Sequence, residues 1–326
     1  MKNTIGLGNA LVDVLLQLAN ENVLSEIGIR KGAMDMISEE QMNAIQNAQK
    51  HLDRTLTPGG SVCNTMRAIS KLGGASGFIG KIGSDEMGEF YENALLDAGV
   101  SPYFIKTSGV SGCCTVLISP DAERTMCTFL GPAPTILPDE VREDILSAYH
   151  CVYVEGYLLV NETLVRSALQ KAKALGLKIA LDLSNFNIVN AFKDLLNDII
   201  PEYVDILFSN ESEAEAFTGL PAREAVRKLS EMVEVSLVTL GKEGVLIGSK
   251  GLVLAVPAEE KKPLDTTGAG DNFAAGFLYG QSVGASLEQS VRVGTLLAGH
   301  VIEVIGPQIP DGEWEQIKLK VKGILI

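Results

Sequence analysis

Asp265-Thr-Thr-Gly-Ala-Gly-Asp271, running on into Asn272-Phe-Ala-Ala-Gly-Phe-Leu-Tyr-Gly-Gln281, is the stretch from which the rest of the chain is read. Phe273, Phe277 and Leu278 fall on one face at helical spacing, so a glycine-rich turn opens a helix here. The first N–H groups of a helix have no partner within it, and the helix dipole adds positive potential at that end. Gly268, Ala269 and Gly270 can aim successive N–H groups at one spot, a place for a developing phosphoryl charge, and glycine leaves room for its approach. Asp271 stands at the mouth of that turn, where a carboxylate can take the proton of an attacking hydroxyl. Taken alone, the same residues also read as a turn with an aspartate capping a helix.

Outward from this motif, short apolar runs alternate with helical patterns. The runs at 4–8, 77–80, 151–154, 179–183, 206–209 and 237–240 read as buried parallel strands. Helices are expected at 61–72, 87–98, 162–175, 211–218 and 222–232, with Gly73, Gly99, Gly176 and Gly219 where C-caps belong. This alternation predicts an α/β fold: a Rossmann-like three-layer α/β/α domain with a mainly parallel sheet. Two places break the rhythm. Residues 113–119 and 124–130 read as a hairpin around Pro120-Asp-Ala-Glu123, and 12–18 and 31–37 can add strands beside it. The expectation is one domain over 1–326 with a small β-strand lid built from about 12–18, 31–37 and 112–130, over the carboxyl edge of the main sheet.

Composition narrows the function. The chain is 46% hydrophobic and 21% charged, enough for a large core. A net charge of −14, with no Lys/Arg-rich run, argues against a nucleic-acid surface or an anionic membrane patch. A polyanionic ligand would therefore depend on Mg²⁺ and helix N-termini for positive charge. Five cysteines without metal-ligand spacing suggest neither a disulfide framework nor zinc, and point to a reducing cytoplasm. Asp13 interrupts the N-terminal apolar stretch, against a signal peptide, and no uncharged run is long enough to span a bilayer.

The motif has company. Asp265 to Asp271 resembles the C-terminal motif of the ribokinase-like, PfkB-type carbohydrate and nucleoside kinases, and Gly59-Gly-Ser-Val-Cys-Asn64 resembles their N-terminal Gly-Gly-x-x-x-Asn motif. Phe78 to Gly88, Asn210-Glu-Ser-Glu213 and Thr239-Leu-Gly-Lys-Glu-Gly244 are similar to further segments of that family, so the likeness runs from about Ile5 to Pro310. It implies the ribokinase-like fold and an ATP-dependent kinase. Asp271 would be the catalytic base, Gly268, Ala269 and Gly270 the anion hole, and Gly59, Gly60 and Asn64 substrate contacts. Thr239, Gly241 and Gly244 would border the nucleotide with Asn210, and Glu213 would hold Mg²⁺ through water. Asn210 and Glu213 equally fit a capping box. Asp265 and Thr267 match positions that bind a monovalent cation such as K⁺ in relatives, although Ile305 to Pro310 departs from the pattern of that site; a turn-stabilising Asp/Thr pair is the other reading. Arg124, in the hairpin, can compensate phosphate charge on closure or be a solvated hairpin residue.

Gly6-Leu-Gly-Asn-Ala-Leu-Val-Asp13 lacks the third glycine of a dinucleotide fingerprint, Leu11 standing in its place. It resembles the opening of the adenosine kinase branch, which implies that Asn9 meets a nucleoside and Asp13 its ribose diol. A carboxylate suits two adjacent hydroxyls, and on its own Asp13 would be a polar break in a lid strand. Segments at 151–159, 181–184 and 203–213 look like the same branch. Phe186 lies one position from the branch's base-stacking aromatic, and Leu130-Gly-Pro-Ala-Pro134 replaces an alanine-rich stretch, so a plain sugar stays open beside adenosine. A catalytically silent nucleoside or sugar sensor is the reading from another class. Exposed lid edges suggest a homodimer.

Overall fold

The computed structural model describes residues 2–121 and 123–326. Its main sheet has nine strands in the order Leu252–Val256, Val245–Ser249, Val235–Thr239, Ile206–Asn210, Lys178–Asp182, Cys151–Glu155, Thr4–Leu7, Ser76–Gly83 and Val100–Thr107. From Val235–Thr239 to Val100–Thr107 every neighbour is parallel, and the last two strands at the other edge are antiparallel.

Each face is covered by helices because the central strands are apolar on both faces. Along Cys151–Glu155, Val152 and Val154 join the core under the helices Glu162–Ala174, Lys193–Tyr203 and Ala222–Leu229, while Tyr153 points to the other core. That second core is closed by Ser61–Lys71, Ala269–Ser282 and Leu287–Val301. There Phe208 meets Phe273 and Phe277 edge-on, with ring centroids 6.1 and 5.5 Å apart. The aromatic cluster anchors the helix that starts at the glycine-rich turn, and such edge-to-face pairs add to the area they bury.

A second sheet of five strands has the order Met34–Met36, Arg124–Phe129, Gly112–Ile118, Leu11–Gln17 and Arg54–Gly59. Strand alternation decides what it presents: Val12, Val14 and Leu16 are buried on one face, which leaves Asp13 on the other. The segments 12–18, 31–37 and 112–130 all contribute to this sheet, but 31–37 yields only the three-residue strand Met34–Met36. The turn expected at 120–123 includes Ala122, which lies outside the described residues.

Four strands were not expected from the sequence: Val100–Thr107, Arg54–Gly59, Leu252–Val256 and the buried Val245–Ser249, which pairs antiparallel with a neighbour on each side. Val100–Thr107 contains Pro102 and only one fully buried residue, as an edge strand can. Arg54–Gly59 carries Pro58 and Gly59 and pairs with Leu11–Gln17 at the border of the second sheet. Leu252–Val256 follows a tight turn at Lys250 and Gly251, both with positive φ, and leaves most of its side chains exposed.

Phe277→Ala removes a fully buried ring from beneath the glycine-rich turn and is expected to cost about 3–5 kcal/mol of stability. Urea denaturation measures this; a loss below about 1 kcal/mol would contradict the anchoring role of the cluster.

Candidate active site

The carboxyl ends of the central strands carry a row of polar groups: Asn9 just beyond Thr4–Leu7, Glu155 ending Cys151–Glu155, Asp182 ending Lys178–Asp182, and Asn210 ending Ile206–Asn210. Open parallel sheets bind ligands at this edge.

Asp271 lies where two helices begin together. The Ser61 hydroxyl donates to its Oδ1 at 2.6 Å and the Asn64 Nδ2 to its Oδ2 at 2.9 Å, both from the first turns of Ser61–Lys71. Asp271 itself sits in the first turn of Ala269–Ser282, whose N-cap Gly268 takes φ 78 with Pro307 Cα 2.7 Å from where a Cβ would stand. Among the described residues the N–H groups of Gly270 and Asp271 have no acceptor, and nothing lies within 4 Å above Gly270. Burial raises the Asp271 carboxyl above its ordinary value, and the bonds from Ser61 and Asn64 pull the other way.

Opposite stand Asn9, Asp13, Gly59 and Gly60. Gly60 has φ 91, and a Cβ there would lie 2.5 Å from the Asn9 carbonyl oxygen, so only glycine fits this close crossing. Asp13 packs its carboxylate against the Gly59 Cα, where a larger residue would collide with it. No described residue hydrogen-bonds that carboxylate. Burial pushes Asp13 up to about 7, with Arg124 lowering it and Asp271 raising it.

Glu155 carried no signal of its own in the sequence beyond its place in an apolar run. It is 1% exposed and accepts the Asn9 backbone N–H at 2.7 Å, the Asn9 Nδ2 at 2.6 Å and the Val62 N–H at 3.4 Å. One carboxylate thus ties the Asn9 loop to the helix that holds Asp271. Burial pushes it to about 7 against those bonds.

The remaining candidates divide. Asn210 and Glu213 form a capping box: Asn210 Oδ1 accepts the Glu213 N–H at 2.9 Å, and Glu213 accepts the Asn210 N–H at 2.8 Å and its Nδ2 at 2.7 Å. Ser212 also donates to Asn210 Oδ1, so that side chain is engaged within the cap. Glu213 is buried and raised by burial; burial also raises Asp182, with Glu213 and Asp271 adding to it, and Asp182 accepts from Tyr153 Oη at 3.0 Å and the Ser184 N–H at 2.7 Å. Among the described residues no lysine or arginine lowers Asp182, Glu213 or Asp271, and carboxylate oxygens are the ligands a hard cation takes. Among the described residues no three acidic, His or Cys side chains close into a direct cage, so water would complete the shell. Thr239 ends its strand, Gly241 is open to solvent, and Gly244 turns the chain back against Val256 at φ 100.

Asp265 is engaged on both sides by protein donors. Its Oδ1 accepts the Thr267 N–H at 2.9 Å and the Thr267 hydroxyl at 2.6 Å, and its Oδ2 accepts the Gly306 N–H at 2.8 Å and Arg124 Nη1 at 2.6 Å. Both oxygens are occupied by protein donors, the arrangement of a turn-stabilising Asp/Thr pair. Arg124 is 15% exposed and joins the second sheet to the glycine-rich turn, where a solvated hairpin residue had been one reading.

With this geometry in view, residues 32–314 match the model described as pfkB family carbohydrate kinase. The chain belongs to the pfkB family. It is 31% identical to an adenosine kinase of Saccharomyces cerevisiae, over 94% of this chain and 96% of that one. The structure of the adenosine kinase from Sinorhizobium meliloti superposes with a TM-score of 0.85 at 29% identity, covering 99% of each chain. A probable sugar kinase from Rhizobium etli superposes with a TM-score of 0.87 at 28% identity, again over 99% of each. As a pfkB family member with this ribokinase-like fold, the protein is a phosphotransferase with an alcohol group as acceptor.

Two expectations follow. Asp13 and Glu155 titrate near 7 when folded, from ordinary values of 3.8 and 4.5, so the folded state holds their protons more tightly. Their contribution to stability is full below about pH 4 and is lost as pH rises through about 7. The urea midpoint of the ligand-free protein should therefore fall between pH 5 and pH 8, and fall less in Asp13→Asn/Glu155→Gln; equal slopes would contradict the assignment. Gly60→Ala should destabilise by about 1–3 kcal/mol and raise the KM for the acceptor; wild-type values for both would show that the crossing with Asn9 is not tight.

Proposed function

We propose that the chain transfers the γ-phosphoryl group of ATP to the 5′-hydroxyl of adenosine. One observation carries the chemistry: Asp271 is gripped by Ser61 and Asn64 at the start of a helix whose Gly270 and Asp271 N–H groups have no acceptor among the described residues. The acceptor hydroxyl gives its proton to Asp271. Its oxygen bonds to the γ-phosphorus as the bond to the β,γ-bridging oxygen breaks, and that electron pair leaves with ADP. Gly268, Ala269 and Gly270 stabilise the charge on the transferring group. Asn9, Asp13, Gly59, Gly60 and Asn64 hold the acceptor, Asp13 through a ribose diol. Thr239, Gly241 and Gly244 border the nucleotide. Mg²⁺, when bound, neutralises phosphate charge; Glu213 and Asp182 would hold its waters, and Asn210 orients Glu213. K⁺ is not part of this reading, because Arg124 already neutralises Asp265.

Adenosine is favoured by the likeness to the yeast and S. meliloti adenosine kinases and by the unpartnered Asp13 carboxylate. The likeness to the R. etli probable sugar kinase supports the second reading, a plain sugar acceptor such as ribose or fructose. The edge strand Met34–Met36 leaves Met34 and Met36 more than half exposed, and pairing of this edge between two copies would cover them in a homodimer. The second sheet acts as the lid in this reading. The five free cysteines suit a reducing cytoplasm.

Asp271→Asn should lower kcat by roughly 10² to 10⁴ with little change in KM; near-normal turnover would refute the base assignment. ATP consumption with adenosine, other nucleosides, ribose and fructose should give the highest kcat/KM for adenosine, whereas a higher value for a free sugar would transfer the assignment to the second reading.

A further inference from the structure

Beyond Asn64, a cavity of about 270 Å³ opens between the helix Ser61–Lys71 and residues 307–314. Asn64, Arg67, Ala68 and Lys71 line it as one stripe at i, i+3, i+4 and i+7. Asp271, Asn9 and Asp13 do not border it, but Asn64, which holds Asp271, and Asn272 do, so it adjoins the phosphoryl-transfer site on the far side of Asn64.

Four enclosed side-chain atoms have no hydrogen-bond partner among the described residues, and two of them, Arg67 Nε and Asn64 Oδ1, belong to residues lining this cavity. No described residue hydrogen-bonds the Arg67 guanidinium or pairs with it. A half-buried cation without a partner is costly, and such groups are normally satisfied by an anion or by water. Lys71 stands one turn further along, 2.7 Å from Asp311, whose side chain is 83% exposed and readily displaced into solvent. Two cations against one acid, in a chain of net charge −14, make a local positive site that composition alone would not suggest. The volume is too small for a nucleotide and ample for a few heavy atoms.

We infer that this cavity binds a compact oxyanion, carried by inorganic phosphate or by a small organic acid, with its charge on Arg67 and Lys71. Asn64 links the site to the reaction, since its Nδ2 holds Asp271 while its Oδ1 belongs to the stripe that lines the cavity.

The test is calorimetric titration of the protein with inorganic phosphate and with acetate, in the presence of Mg²⁺ and a saturating non-hydrolysable ATP analogue so that the glycine-rich turn is already filled. Saturable binding of either anion is expected, weakened about tenfold or more in Arg67→Gln and in Lys71→Gln. Tighter binding of phosphate identifies a phosphate source, and tighter binding of acetate an organic acid. The same isotherm in all three proteins, or no binding to the wild type, overturns the site. Should Arg67→Gln fail to fold, Lys71→Gln decides alone. The readout is binding, so it stands whether or not the kinase reading holds.

Discussion

Everything at the functional edge depends on two helices starting at the same point. Ser61–Lys71 and Ala269–Ser282 pack against each other, and their first turns share one carboxylate, that of Asp271. An acid buried there would ordinarily give up its charge. Two donors from the neighbouring helix favour the charged form, and the competition leaves a carboxyl raised yet hydrogen-bonded. The aromatic cluster of Phe208, Phe273 and Phe277 fixes the depth of one helix, and Glu155, through the Val62 N–H, fixes the start of the other.

The same edge holds more negative charge than its protein partners neutralise. Asp13, Glu155, Asp182, Glu213 and Asp271 all titrate above their ordinary values, burial being the first cause in each. Local folding alone does not favour such a collection, and stability is given up to keep it. A site of this kind becomes favourable when a cation and an acceptor with hydroxyl donors enter it. Arg124 is the exception, committed to Asp265 rather than left free over the site. It connects the second sheet to the glycine-rich turn, so movement of one is felt by the other.

Most of the fold was legible because strand and helix periods alternate along the main sheet, broken only where the second sheet is inserted. Three of the strands that escaped notice lie at sheet borders, where one side is free and an apolar run is not demanded, as in Val100–Thr107 and Leu252–Val256, whereas Val245–Ser249 is buried in the main sheet between two antiparallel neighbours. In the candidate site, the glycines at 60 and 268 could be read because positive φ and close backbone crossings leave few alternatives. Glu155 and Asp182 could not. Each is a lone acid at the end of an apolar strand, and only the parallel register brings them beside Asn9 and Glu213. Arg67 was invisible for the same reason: its partners, or the lack of them, come from residues 307–314, far along the chain.

The most direct test of the shared carboxylate is a ¹³C NMR titration of the Asp271 side chain in wild type and in Ser61→Ala. The account predicts a midpoint above the ordinary value of 3.8 in the wild type, and a further rise once the Ser61 hydroxyl is gone. A midpoint at or below that value, unmoved by Ser61→Ala, would contradict it.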